Sequence, residues 1–130
     1  MSSITTSISR INTVVVLVSD TDRAIEFYTE KLGLEKRVDI PFEGKYRWVE
    51  VAPAGADTTI ALAPPPPGRE AGGTQSGISL QTSDIDGLHA ELKDRGVDVD
   101  AEVSRMGDPV PPLFWLRDPD NNTLMVAGVS

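Results

Sequence analysis

One signal occurs twice in this chain, and the repetition limits what the chain can fold into. Val14 to Leu34, VVVLVSDTDRAIEFYTEKLGL, reads as a buried strand, a capped turn and a helix ending at Gly33; a reduced copy, ISLQTSDIDGLHAELKDRGV, returns from Ile78 to Val97. Setting Asp20 on Asp84 gives an offset of 64 residues, and the same offset places Ser19 on Ser83 and Asp22 on Asp86. The chain is two copies of one supersecondary unit.

Each copy spells out its elements. Ile11 to Val18 is almost wholly apolar and β-branched, which suits a strand covered on both faces. Asp20 stands where a helix N-cap belongs, and Ala24, Ile25, Phe27, Tyr28 and Leu32 form the apolar stripe of the helix that follows. Glu35 to Ile40, Lys45 to Ala52 and Thr58 to Ala63 read as three further strands between turn-rich segments. Pro64 to Ser76, PPPPGREAGGTQS, reads as a linker, with a docking segment for a partner's aromatic groove as the other reading of its prolines. The second unit then gives a strand at Gly77 to Thr82, a helix at Asp84 to Arg95, and strands at Val97 to Val103, Leu113 to Arg117 and Thr123 to Gly128. The expectation is one α+β domain over residues 1 to 130: a βαβββ module at about 11 to 63, the linker at 64 to 76 and a second βαβββ module at about 77 to 128. Two small sheets with a helix on one face each leave the opposite faces free to curve around a cavity.

Composition excludes several functions. At 130 residues the chain forms one body burying roughly two thirds of its unfolded surface. The net charge of -8, with Lys and Arg scattered, disfavours nucleic acid. No apolar run approaches membrane-span length, and there is no cysteine for disulfide or thiolate chemistry. MSSITTSISR lacks a basic start followed by an apolar run, so no secretory leader is expected and the cytoplasm is the default location.

Val18-Ser-Asp20, Ala24-Ile-Glu-Phe27-Tyr28, Leu32-Gly33 and the late Arg117-Asp-Pro-Asp120-Asn-Asn122 occur in this order within the duplicated frame. Together they resemble the glyoxalase/bleomycin resistance/dioxygenase family of the vicinal oxygen chelate superfamily, over about residues 11 to 128. The resemblance implies paired βαβββ modules, usually in homodimers whose cupped sheets enclose small-molecule pockets. It also implies, for the enzymes of the family, a divalent metal held by His, Gln or Glu from the first and fourth strands. Those positions fall here on Thr13, Ala61, Gly77 and Met125, and such a set offers a metal one weak hydroxyl. No metal or other cofactor is therefore expected.

The lone histidine, His89, is expected on the second helix away from the cup, without chemistry, although a lone acid or base is the other reading. Strand alternation divides the faces. Thr13, Ala61, Gln81, Thr123 and Met125 face the cup, as do Tyr46, Trp48 and Glu50 on the third strand. The offset of 64 carries Glu50 onto Phe114, which places Phe114 on the cup wall and Trp115 in the core or a dimer interface. The alternatives are that Trp48 and Phe114 are core residues and that Glu50 bonds Tyr46 or Arg47. Arg105 to Pro112 is expected either to close over the cup or to lie flat with Arg105 paired to Asp108.

The function expected is metal-independent binding of a small organic molecule with a flat conjugated part, in a homodimer. The resemblance suggests sequestration of an antibiotic or metabolite. The alternative is an enzyme, a lyase, isomerase or dioxygenase with divergent metal ligands; a structural interaction module using the proline tract is a third class.

Overall fold

The computed structural model describes residues 6 to 42, 44 and 46 to 129. Residues 1 to 5 of the N-terminal arm, and Lys45 as the start of the third strand, lie outside the described residues. In chain order the elements are β1 (Thr13–Leu17), α1 (Thr21–Glu26), β2 (Glu35–Phe42), β3 (Tyr46–Ala52), β4 (Thr59–Ala63), β5 (Gln75–Thr82), α2 (Ile85–Asp94), β6 (Asp98–Val99), β7 (Leu113–Arg117) and β8 (Thr123–Gly128). They form two four-stranded mixed sheets of one design, ordered β1-β4-β3-β2 and β5-β8-β7-β6. In each, the first strand runs parallel to the last and the other pairs are antiparallel.

The helices begin as the sequence dictates. Asp20 and Asp84 are N-caps whose carboxylates accept the backbone N–H of Arg23 and Gly87, at 3.1 and 3.0 Å. Gly33 and Gly96 follow the helix ends with φ of 77° and 80°, the left-handed conformation that terminates a helix most cheaply when no Cβ is present. Between cap and glycine the copies differ in length. The caps lie 64 residues apart and the glycines 63, so the first helix holds one extra residue. It is accommodated by a π-helical turn at Phe27–Lys31, where the Leu32 N–H donates to the Phe27 carbonyl five residues back. The turn brings Phe27 and Tyr28 edge to face, with ring centroids 5.2 Å apart.

Alternation along the strands builds the core. Val16, Val18, Val49, Val51, Ile60 and Leu62 of the first sheet face α1, and Phe114, Leu116, Leu124 and Val126 of the second face α2. All are buried in one continuous cluster with Ala24, Tyr28, Ile85 and Leu92 from the helices. The two repeats are joined by polar contacts at the end of β7. Tyr28 donates to Asp118 at 2.9 Å, the Asn122 amide donates to the Leu17 carbonyl at 3.0 Å, and Asp120 accepts from the Ser19 backbone N–H at 3.1 Å and from its hydroxyl. At the far ends of the helices, Lys31 and Arg95 donate to each other's backbone carbonyls.

Several boundaries differ from expectation. The strand expected at Val97 to Val103 is a ladder of two residues: the Asp100 N–H still donates to the Trp115 carbonyl, but the Trp115 N–H goes to the Asp100 carboxylate at 3.0 Å in place of the return ladder bond, and Arg117 donates to the same carboxylate at 2.9 Å. β2 runs two residues further, to Phe42, and tolerates Pro41 because it is an edge strand. Gln75 and Ser76, expected in the linker, belong to β5.

Candidate functional site

The helix-free face of the first sheet carries four polar side chains in series. Pairing of Val15 with Ala61, of Ala61 with Glu50 and of Glu50 with Val38 puts one row of residues across this face; Trp48 beside Ile40 and Tyr46 beside Phe42 form the next rows along β3. The Trp48 indole N–H donates to Glu50 Oε2 at 2.6 Å, and the Thr59 hydroxyl donates to Glu50 Oε1 at 2.6 Å. The Thr59 hydroxyl also lies 2.9 Å from that of Thr13, which donates to the Thr59 backbone carbonyl at 3.1 Å. The series runs Thr13, Thr59, Glu50, Trp48, with the Thr59 and Trp48 protons pointing toward the carboxylate. The hydrogen bond from Thr59, and next that from Trp48, hold the Glu50 carboxyl below the usual carboxylate range against the opposing effect of burial.

Around this series the surface is apolar and open: Val15, Ile40, Phe42 and Tyr46 are 53%, 54%, 52% and 41% exposed. Four large apolar side chains exposed on one sheet face mark a surface that meets something. Two hollows adjoin the series. One, of about 400 Å³, is bounded by Phe42, Tyr46, Arg47, Trp48, Ala63 and Pro64 to Pro67. The other, of about 690 Å³, lies between the β1 and β4 residues Val14, Val15 and Thr59 and the stretch Ser76 to Gln81 on β5. The proline tract, expected as a connector, is thus also a wall beside Trp48.

Most of the residues anticipated for the site do come together in the first sheet. Thr13, Tyr46, Trp48 and Glu50 share the open face. Ala61 occupies the expected place by register but is fully covered, so it offers a ligand no surface. The alternative partner Arg47 for Glu50 is excluded, because its guanidinium points to the other face and binds Asp39 and Asp22, at 2.8 and 2.7 Å. Thr59 is the member of the series that sequence reasoning did not single out. The signal was its position opposite Thr13 in the parallel pair.

In the second sheet the assignment of Phe114 to the cup fails. Phe114 is fully buried on the helix side, where its ring meets His89 edge to face at 4.9 Å. Glu50 pairs with Ala61, and its counterpart across the repeat, the partner of Met125, is Trp115; the offset between β3 and β7 is 65, not 64. One residue of slip reverses every face along a strand. Trp115, expected in the core or an interface, is therefore a half-buried neighbour of Met125 on the helix-free face, with Gln81 and Thr123 on the same side. His89 faces the sheet from α2 and its Nε2 lies 2.7 Å from the Asp100 carbonyl, away from the open faces. Arg105 pairs with Asp86 at 2.7 Å instead of Asp108.

The four positions that would hold a metal do not suit one. The Thr13 hydroxyl is committed to Thr59, Ala61 and Gly77 have no donor atom, and Met125 offers a thioether, a poor partner for a hard divalent ion. Among the described residues no three His, Asp or Glu side chains are grouped as a metal site would require. No helix among them is long and apolar enough to cross a membrane.

Known proteins share this arrangement. The family model for the Glyoxalase/Bleomycin resistance protein/Dioxygenase superfamily matches residues 10–126, and the chain belongs to that superfamily. An uncharacterized protein of Bacillus subtilis (strain 168), YetH, is 33% identical over 119 residues, 92% of this chain and 98% of the relative. Among solved structures, TnmS3, described as an antibiotic binding protein from Streptomyces sp. CB03234, superposes with a TM-score of 0.83 at 34% identity over 96% of this chain and 99% of that one. A superfamily member from Sphaerobacter thermophilus DSM 20745 gives a TM-score of 0.86 at 34% identity, over 94% and 98%.

Proposed function

We propose that this protein is a cytoplasmic, metal-independent binder that sequesters a flat, conjugated organic molecule against Trp48, in a cup completed by a second copy of the chain. The observation that carries this reading is the fixed indole: Trp48 is anchored through its N–H to Glu50 at the edge of a hollow walled by Phe42, Tyr46 and four prolines. Aromatic and proline surfaces stack on planar rings, and a pocket of apolar walls with a few orienting polar groups is what such a ligand needs. The likeness to TnmS3, whose description names antibiotic binding, favours the same class of ligand. Neutral polar contacts from Thr13, Gln81 and Thr123 would orient it. The exposed Val15, Ile40 and Phe42 support a two-fold partner, since a second copy would cover them and close the cup.

The test is a tryptophan fluorescence screen of aromatic antibiotics and metabolites on the Trp115→Phe protein, which leaves Trp48 as sole reporter. Saturable quenching by a planar compound is expected, together with a dimer in light scattering. A monomer at micromolar concentration would remove the second copy from the reading. Stoichiometric Zn, Fe, Mn or Ni in protein purified without chelator would overturn the metal-independent part and restore the enzyme.

A further inference from the structure

We infer that Glu50 selects the charge of the ligand, and that the class of molecule this face takes is the planar organic cation, one carrying a protonated or N–H-rich group beside its flat part. The inference rests on the binding reading above and narrows it. Glu50 is the acceptor at which two hydrogen bonds converge, one from Trp48, which lines the first hollow, and one from Thr59, which lines the second; Glu50 is reached through these two donors and lines neither hollow itself. Each donor uses one oxygen, and a carboxylate oxygen accepts more than one hydrogen bond, so both retain capacity for a donor arriving from the open side. Among the described residues, Asp22, Asp39, Asp98, Asp100 and Asp120 each have an Arg or Lys within ion-pair distance, and Glu50 has none. The two neutral donors keep the half-buried carboxylate ionised without any positive charge beside it, so the charge is available to a cation arriving from outside.

The rest of the surface agrees with this polarity. Proline has no backbone N–H, so the Pro64 to Pro67 wall presents ring carbons and carbonyl acceptors and no main-chain donor that would receive an anion. Arg47 borders the same hollow, but its charge is taken up by Asp39 and Asp22. A cation over the Trp48 ring gains further attraction from the indole face. The net charge of -8 raises the encounter rate of cations over anions.

Two planar probes of opposite charge test the inference: proflavine, a cation, and anthraquinone-2-sulfonate, an anion. Affinities are measured by calorimetry in about 0.5 M salt, where long-range steering is screened and contact at the site decides. The expected result is a preference for proflavine of roughly ten- to a hundredfold, the range of one hydrogen bond to a charged group. Glu50→Gln should abolish the preference while circular dichroism shows a folded protein. Glu102→Gln, which changes net charge equally at an exposed position, should keep it. Equal affinities in the wild type, a preference for the sulfonate, or a proflavine preference that survives in folded Glu50→Gln would overturn the inference. The wild-type comparison alone decides if Glu50→Gln does not fold. Tight binding of the sulfonate that depends on Trp48 would defeat the charge selection and leave the binding reading standing. Failure of every planar compound to quench Trp48 would defeat both.

Discussion

The Tyr28 hydroxyl donates to the Asp118 carboxylate across 2.9 Å, from the π-helical turn of the first repeat to the end of β7 in the second, and both residues are buried. Burial and the neighbouring Asp118 charge push the Tyr28 phenol far above its ordinary range, which favours the protonated, donating form. Asp118 also accepts from the backbone N–H groups of Asp120 and Asn122 and from the Asn122 side chain, so removal of one donor does not strip it. Tyr28→Phe should lower stability by about 1 to 2 kcal/mol. Urea unfolding checks this: the midpoint falls while the slope stays at the wild-type value.

Phe114 and Trp115 are sequence neighbours with opposite tasks. Phe114→Ala should cost about 3 to 5 kcal/mol of stability, because the ring is fully buried against His89, and should leave the affinity of the folded fraction for a planar ligand unchanged. A loss under about 1 kcal/mol in chemical denaturation would mean that Phe114 is not a core residue.

Trp48→Ala should weaken a confirmed planar ligand by about 2 to 4 kcal/mol, since it removes a stacking surface and its buried area together. Titration calorimetry on the Trp115→Phe background reads this directly. Wild-type affinity in Trp48→Ala would place the ligand elsewhere.

Asp39 on β2 is bound by Arg47 and Lys36, whose hydrogen bonds lower its carboxyl to about 2. A carboxyl depressed by folding contributes stability that is complete above its unfolded value and lost as pH falls through the folded one. The difference in Tm between wild type and Asp39→Asn should therefore be constant above about pH 5 and shrink as pH falls from about 4 toward 2. A difference that widens on acidification would contradict the pairing.

Gly72 lies in the segment before β5 with φ of 89°, and a Cβ there would run into the carbonyl oxygen of Asp120. The neighbouring Gly73 N–H donates to that same carbonyl at 3.0 Å. Gly72→Ala must move the turn that also receives Ser19 and Arg23, so a loss of about 2 kcal/mol or more is expected in thermal and urea unfolding.

Architecture was legible where local chemistry repeats. Asp20 and Asp84 announce helix starts, Gly33 and Gly96 announce their ends, and the valines of β1 alternate between a buried and an open face as period two requires. The first-sheet face was legible for the same reason: Trp48 and Glu50 share a phase, and Thr13 shares one with Val15. On the second-sheet face Gln81, Thr123 and Met125 were placed correctly, and only β7 was misread, because a single offset was carried from the caps through to β7, where the register is 65. No local signal marks that slip, since Leu113, Phe114, Trp115 and Leu116 are all apolar and either phase satisfies a core. Nor does anything in the proline tract itself declare that it lies beside Trp48; that follows only from how the hairpin of β2 and β3 meets the end of β4.

The π-helical turn at Phe27–Lys31 decouples the length of the first helix from the positions of its ends. If the two halves arose by copying one ancestral unit, the first has since gained a residue, or the second lost one, within a helix flanked by fixed ends. A wider turn absorbs that change in place, so the cap, the terminal glycine and the strands beyond keep their positions. One half can thus gain or lose a single residue without disturbing the other, and the two open faces become free to diverge separately, one toward Trp48 and Glu50, the other toward Trp115 and Met125.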